Sequence, residues 1–495
     1  MQLLNNNLSD RVAKEIKVPA ALKSSRSQIL HIGVGGFHRS HQVYAIQQLI
    51  DSNPEKFSKW AITGVCMMPE DLQLVENLRK QNQRYCLKMS TPSGTEDIRV
   101  MNAIASILHS ASDAVKIVNR IASAETKVIS FTITEGGYNI DFDKSRFLIE
   151  NPAVQADLIN PDQPGTVFGF LAKGLALRKL RNNGPITLMS CDNIQENGHI
   201  LKLALLSFIS VYDESLLPWI ADNVRFPNSM VDRITPVATE KDKADFERQY
   251  GLRDNCLVVS EDYFQWVLED NKYGDFPPLE QVGVEIVAEV KPYEAMKLSI
   301  LNGGHTLVGL LGDALGYNRI HNAVVDEAIS RIYDMYVQQE VIPTLAVIDG
   351  VSFYNYYEKV KLRFSNAMIN DSTDRIISGS SDKVPKFVLP VLQEQLKNSS
   401  PKKDITLLII IAWWVYLEKE FNKNQMADVK DQKVTEWLPM FETAKGNGDW
   451  FISYKPVFGA LAEHVELVNL YKAYMKVVQE GELGSLIDKI LEKYS

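Results

Sequence analysis

The stretch Glu294-Ala295-Met296-Lys297-Leu298-Ser299-Ile300-Leu301-Asn302-Gly303-Gly304-His305 carries the residue types best suited to chemistry. It reads as one helix running on into an apolar segment, yet a lysine, an asparagine and a histidine sit among its apolar residues. At about 100° per residue, Lys297 and His305 fall about 80° apart on a helical wheel, and Asn302 and His305 about 60° apart. One broad face can hold all three. Oxidising a secondary alcohol requires a base for the hydroxyl proton while hydride leaves the carbon. A lysine serves when burial lowers its pKa towards neutrality. Asparagine amides can hold the developing alkoxide, and His305 can orient the hydroxyl or the lysine. Gly303 and Gly304 each cost up to about 1 kcal/mol inside a helix. Close approach of a nicotinamide ring or a substrate to the backbone would account for them. The competing reading is a solvated face, or polar side chains satisfied within a core.

A hydride acceptor needs its own site, and the start of the chain offers one. An apolar strand at 28–32 enters His31-Ile32-Gly33-Val34-Gly35-Gly36-Phe37-His38-Arg39. Glycines there allow tight turn dihedrals and bring backbone N–H groups up to a pyrophosphate at a helix N-terminus. Gly33, Gly35, Gly36, Phe37 and Arg39 are the candidate cofactor residues. The pattern departs from G-x-G-x-x-G because His38 holds the third glycine position, so the helix is expected to sit further out or retilt. A second strand, 60–65, precedes Glu70 and Asp71. An acidic residue there binds adenosine ribose hydroxyls and repels a 2′-phosphate, which favours NAD over NADP. Asp71 can instead cap the following helix.

Further strands are expected at 127–134 and 186–190, with helices at 71–81, 112–122 and 168–180 between them. Alternating strands and helices imply βαβ units and a largely parallel sheet. Beyond about residue 290 helical periodicity dominates, at 323–339, 384–397, 405–422, 465–479 and 483–494. The expected fold is α/β: a Rossmann-like NAD-binding domain over 1–285, then a mainly α-helical substrate and catalytic domain over 286–495. A cleft between them is the expected place for a ligand.

Composition excludes several classes. The 495 residues are 45% hydrophobic and 23% charged, ordinary values for a folded globular chain. The net charge of −9 argues against a nucleic-acid partner. Cys66, Cys86, Cys191 and Cys256 form no Cys-x-x-Cys pair, so neither a zinc site nor a disulfide framework is expected. The first 19 residues hold no apolar leader core, and the apolar run 405–417 is too short to cross a bilayer. A cytoplasmic protein without membrane contact follows.

Several ordered motifs carry a family resemblance. They are Val224-Arg225-Phe226-Pro227-Asn228-Ser229-Met230-Val231-Asp232-Arg233-Ile234-Thr235-Pro236, the Lys-x4-Asn-x2-His pattern of Lys297, Asn302 and His305, Ser190-Cys191-Asp192-Asn193, Arg363-Phe364-Ser365-Asn366 and Ser380-Ser381-Asp382-Lys383-Val384-Pro385-Lys386. Together they resemble the polyol-specific long-chain dehydrogenase/reductase family, which includes mannitol 2-dehydrogenases. The resemblance implies a metal-independent reaction with Lys297 as general base. It implies Asn193 and Asn302 around the reacting oxygen, and His305 positioning substrate and base. It assigns Glu294 to a proton path and Asp232, Arg375 and Lys383 to the polyol. Arg375 can alternatively bridge Asp371 or Asp374.

Subtype rests on Thr132-Ile133-Thr134-Glu135-Gly136-Gly137-Tyr138-Asn139 and on 264–270. Related hexuronate reductases resemble this stretch but tend to carry lysine where Gly136 stands, and where that position faces the cleft, losing the cation disfavours a carboxylate-bearing substrate. D-mannitol to D-fructose with NAD therefore ranks first. D-arabinitol oxidation follows, then fructuronate (mannonate) reduction. A silent nucleotide- or sugar-binding sensor is the alternative of a different class. Oligomeric state stays open, a monomer being compatible.

Overall fold

Six short, mostly apolar strands of the N-terminal half pair in parallel: β1 (Ile29–Ile32), β2 (Ile62–Cys66), β3 (Ile104–His109), β4 (Val128–Phe131), β5 (Ile186–Ser190) and β6 (Val224–Arg225). In this computed structural model their spatial order is β3-β2-β1-β4-β5-β6. Every neighbouring pair is parallel. The structure describes residues 2–4, 16–23, 27–142, 144–273, 275–398, 400–481 and 483–494. Much of the N-terminal stretch read as lacking a leader lies outside the described residues.

Helices Gln42–Ser52, Leu72–Lys80, Ser110–Ala122, Val167–Leu180 and Asn197–Tyr212 lie between successive strands. Alternate strand residues feed two cores. Ile29, Ile62 and Val128 enter one, while Leu30, Ile129 and Leu188 enter the other. Burial of both faces explains the continuous apolar runs. Strand order reverses between β1 and β4, and such a switch point opens a crevice at the carboxyl ends of the strands. The fold is therefore the doubly wound one expected from the sequence.

Some local details differ from the sequence pattern. The strand expected over 127–134 stops at Phe131. Thr134 takes a positive φ of 59° and starts the short helical turn Thr134–Gly137. The Asp192 carboxylate accepts the amides of Ile133 (3.0 Å) and Thr134 (2.8 Å), which pulls the backbone out of the strand. The pattern does not mark β3, where Ser106 and His109 interrupt the apolar run, nor β6, which has two residues.

A smaller sheet positions Asp232. Ser229–Asp232 runs antiparallel to Gln265–Glu269, which pairs in parallel with Glu285–Val287. The chain forms two compact units, one of Met1–Thr91 and Thr95–Lys291, the other of Pro292–Ser495 with Pro92–Gly94.

The second unit is helical. Helix Asp404–Asn422 contains the apolar run and is buried along most of its length. Among the described residues no helix is long and apolar enough to cross a membrane. This helix packs on Gly303–Ala314, and Lys419 binds Asp313 across the pair at 2.9 Å. Its N-terminus is capped from a distance, because the buried Glu340 carboxylate accepts the amides of Ile405 and Thr406, each at 2.8 Å. The helix expected over 323–339 is interrupted, since Asp326 caps a new helix, Glu327–Met335. The one expected over 384–397 divides into Ser380–Phe387 and Leu389–Lys397, because Pro390 has no amide to carry the first helix onward.

One buried cation ties the sheet to its helices. Arg178 is fully buried and donates to the carbonyls of Gly184, Ile121, Ser123, Thr126, Asn183 and Pro185. Each carbonyl stripped of its partner in a core costs roughly 1–3 kcal/mol. Arg178→Met is expected to lower stability by about 3 kcal/mol or more, read by urea denaturation. A loss below about 1 kcal/mol would show that these bonds are replaceable.

Candidate active site

The switch point is built from residues that the strands deliver side by side. The β1 and β4 ends come so close that a Cβ on Gly33 would lie 1.9 Å from the Thr132 carbonyl oxygen, and Gly33 has φ +101°. Only glycine fits there. The Thr132 hydroxyl donates to the Gly33 carbonyl at 2.6 Å. His31, from within β1, reaches the same carbonyl through Nε2 at 3.1 Å and meets the Ser130 hydroxyl through Nδ1 at 2.8 Å. A carbonyl only accepts, so Nε2 carries the proton and Ser130 donates to Nδ1.

His38, in place of the third glycine, lies flat against His31 with ring centroids 3.3 Å apart and planes 7° from parallel. The helix is thus joined to the strand by stacked imidazoles. Burial lowers the His31 pKa to about 3 and takes His38 well below its ordinary value. Beyond this floor the loop is open. A Cβ on Gly35 would meet nothing within 4 Å, and one on Gly36 only Thr235 at 3.7 Å. Gly35 precedes the short helix Gly36–Ser40, and its amide is donated to the Gly33 carbonyl at 2.9 Å, which tightens the turn. This open glycine turn lies at the switch point, where folds of this kind receive a dinucleotide.

The other loop candidates divide. Phe37 stacks on His41 at 4.9 Å. Arg39 is buried, with Nε on the Gly35 carbonyl at 3.2 Å and Nη1 on the Cys256 carbonyl, and its guanidinium lies 5.3 Å from the Tyr85 ring centre. That is a structural commitment to the loop and its neighbours. Asp71 accepts the Met68 amide at 3.1 Å, whereas Glu70 is exposed past the end of β2.

Two quoted motifs meet beside β5. Asp192 is buried and also accepts the Tyr138 hydroxyl at 2.7 Å. Burial raises its pKa against those hydrogen bonds. Asn193 follows it, exposed. Asn197 donates to the carbonyls of Asp192 (2.9 Å) and Ser229 (2.8 Å), and Asn228 accepts the amides of Gly198 and His199 at the start of helix Asn197–Tyr212. Asp232, 5% exposed, ends the strand that Asn228 and Ser229 anchor. Arg233 turns its guanidinium to the carbonyls of Glu261 and Asp262, each at 3.1 Å, and of Ser40.

In the helical unit, the segment expected as one helix changes gauge. Lys291–Met296 is α-helical, Lys297–Asn302 is a π-helical turn, and Gly303–Ala314 is α-helical again. Such turns are rare and frequent at functional sites. The wheel angles of an unbroken α-helix therefore do not apply across it. Lys297 is 5% exposed and Glu294 7%. The Asn302 side-chain oxygen is buried without a hydrogen-bond partner. His305 stacks on Phe364 at 3.8 Å, 8° from parallel.

The two glycines have a different reason from the one the sequence suggested. A Cβ on Gly304 would come within 2.4 Å of the Tyr333 ring, and one on Gly303 within 2.8 Å of the Tyr336 hydroxyl. Aromatic side chains of the same unit take the space. Tyr333 also donates to the Ile300 carbonyl at 3.0 Å.

Arg375 is exposed and doubly bonded to Asp371, through Nε at 2.6 Å and through Nη2. This is the bridge that the sequence left open as an alternative. Lys383 donates to the Ile376 carbonyl at 2.8 Å. Burial first, and the nearby Arg375 charge second, lower its pKa to about 8. Among the described residues, no group of three or more His, Cys, Asp or Glu is placed to hold a metal ion. Sequence reasoning did not assign roles to His31, Thr132 or Asp192. Polar side chains within or just after apolar strands were the available signal.

Comparison with known proteins adds a family. Residues 27–281 match the mannitol dehydrogenase Rossmann domain, and 289–479 the mannitol dehydrogenase C-terminal domain. A Saccharomyces cerevisiae protein named mannitol dehydrogenase 2 is 38% identical, over 79% of this chain and 77% of its own length. Escherichia coli D-mannonate oxidoreductase is 34% identical, over 83% and 84%. The Pseudomonas fluorescens mannitol 2-dehydrogenase structure, a ternary complex with NAD and D-mannitol, superposes with a TM-score of 0.85 at 31% identity, covering 99% of this chain and all of that one. The chain belongs to the mannitol dehydrogenase family, as the motif resemblance implied.

The stacked histidines give a pH test. Both are neutral when folded and bind protons when unfolded. From the ordinary value of 6.5 down to about 3 for His31, the unfolded state holds more protons. Stability present above pH 6.5 is thus lost as pH falls, by up to about 2.7 kcal/mol per unit for two such groups. Urea unfolding compared near neutrality and near pH 5 should show this drop, and His38→Gln should remove about half of the pair's share. An identical slope in the variant would contradict it.

Proposed function

We propose that this member of the mannitol dehydrogenase family oxidises a secondary hydroxyl of a linear polyol to a ketose, D-mannitol to D-fructose first, using NAD. The observation that carries this reading is Lys297, buried on a π-helical turn that also presents Asn302 with an unmet amide oxygen. A buried, unmet polar group costs roughly 1–3 kcal/mol unless a ligand completes it.

In the proposed reaction the neutral Lys297 amine takes the hydroxyl proton. Hydride leaves the same carbon, which becomes the ketone, and NAD, when bound, would supply the acceptor. Asn302 and Asn193 hold the reacting oxygen as its charge grows. His305 fixes the hydroxyl, and Glu294 passes the proton towards solvent. Asp232, Arg375 and Lys383 contact the rest of the polyol. Gly33, Gly35 and Gly36 would hold the pyrophosphate, and Glu70 the adenosine ribose. The enzyme acts on dissolved small molecules in the cytoplasm.

Gly136 supports a neutral substrate. It is exposed on the turn after β4, and a side chain there would meet no atom within 4 Å. The lysine of the hexuronate reductases that the chain resembles would fit there, and this chain has none at that position. The D-mannonate oxidoreductase relative makes reduction of a hexuronate the second reading.

NADH formation with D-mannitol, D-arabinitol, D-sorbitol and D-mannonate, with NAD and NADP in parallel, separates these readings. Mannitol with NAD is expected to turn over fastest. Turnover of mannonate alone would overturn the Gly136 argument. Lys297→Ala should lose about 10²–10⁴-fold in kcat, the usual worth of a positioned base. Wild-type kcat should rise with pH as the lysine loses its proton, and undiminished turnover in the variant would remove Lys297 as the base.

A further inference from the structure

We infer that Tyr333 is a positioning residue for this reaction, closing the π-turn through its hydroxyl and holding the plane of His305 through Phe364. The inference rests on the reading of Lys297, Asn302 and His305 as the reacting side chains. It also gives a physical role to Phe364 of the Arg363-Phe364-Ser365-Asn366 motif.

Three observations converge on one fully buried side chain. First, the Tyr333 hydroxyl donates to the Ile300 carbonyl, three residues past Lys297 and two before Asn302. A turn of π gauge is held less well by its own backbone than an α-turn, and a side-chain donor from outside can fix it. Burial takes the Tyr333 pKa well above its ordinary value, so the donor proton stays in place. Second, the ring lies directly on the backbone at Gly304, where any Cβ would collide with it at 2.4 Å. Gly304 is the residue just before His305. Third, Tyr333 is the base of a column of near-parallel rings. Tyr333 and Phe364 are 11° from parallel with centroids 5.8 Å apart, and Phe364 and His305 are 8° from parallel at 3.8 Å. Tyr357 meets Tyr333 edge-on at 5.0 Å and holds the base of the column.

A histidine ring is otherwise free to turn about its last side-chain bond. Stacked at 3.8 Å it cannot, so its two nitrogens keep fixed directions. Tyr333 therefore acts on both ends of the reacting segment without touching substrate itself. Misplacing a reacting group by about 1 Å can cost about 10²-fold in rate.

Tyr333→Phe keeps the ring and removes the hydroxyl, while Phe364→Leu keeps the hydroxyl and breaks the column. Each is compared with wild type and Lys297→Ala for kcat, KM for NAD and polyol, the pH profile of kcat, and deuterium exchange of the 297–305 amides. Tyr333→Phe is expected to lower kcat about 10–100-fold, leave the KM for NAD unchanged, displace the pH profile, and speed exchange across 297–305. Phe364→Leu should lower kcat with exchange over 297–302 unchanged. Wild-type kcat and pH profile in both variants, beside an inactive Lys297→Ala, would overturn the positioning role and leave the base intact. An active Lys297→Ala would instead overturn the reading of the base. Exchange decides the hydroxyl's role even without turnover, since unchanged exchange in Tyr333→Phe removes it. If Tyr333→Phe does not fold, wild-type kcat in Phe364→Leu overturns the inference.

Discussion

The π-helical turn Lys297–Asn302, on which Lys297 is 5% exposed, is the feature to which its neighbours in the helical unit are fitted. An ammonium in a protein interior is costly, and a buried position is what the proposed base requires. The side chain sits on a π-turn rather than an α-helix, and that gauge has to be imposed from outside. Tyr333 binds the turn's Ile300 carbonyl, and both glycines after the turn are there to admit Tyr333 and Tyr336. Tyr336 opens a second π-helical segment, Tyr336–Val341, whose Glu340 caps helix Asp404–Asn422. The apolar helix at the core of the unit and the π-turn are thus linked through a few side chains.

The N-terminal unit meets a different demand, which is close approach. Strands β1 and β4 must end together for a switch point to form, and they do so with Gly33 against Thr132. The polar groups trapped by this approach are satisfied within a small network of His31, Ser130 and Thr132. Asp192 performs the same service for the turn after β4. With the backbone fixed by these buried bonds, the glycines beyond them can stay open.

The parts legible in the sequence were those with strong local signals. β5, at 186–190, and the helix ending at Tyr494 follow from apolar periodicity alone, and the glycine loop announced itself by position. Lys297, Asn302 and His305 stood out because polar residues in an apolar helix need a reason. What stayed hidden depends on long-range partners. Nothing local shows that Thr134 leaves the strand, because the cause is Asp192, 58 residues later. Nor does spacing reveal the π-turn, since the tyrosine that holds it is 33 residues from Ile300. The glycine pair was visible but its cause was not, for the same reason. Arg375 shows the converse: its bridge to Asp371 is only four residues long, and the sequence could name it as an alternative.

The most direct test follows the hydride. D-mannitol deuterated on its two equivalent carbons 2 and 5 is incubated with the enzyme and NAD, and both products are weighed by mass spectrometry. The account predicts one deuterium in the NADH and one retained in the ketose, with turnover slowed relative to unlabelled mannitol. NADH carrying no deuterium, or the label lost to water, would contradict direct hydride transfer from the polyol carbon and with it the proposed chemistry of the site.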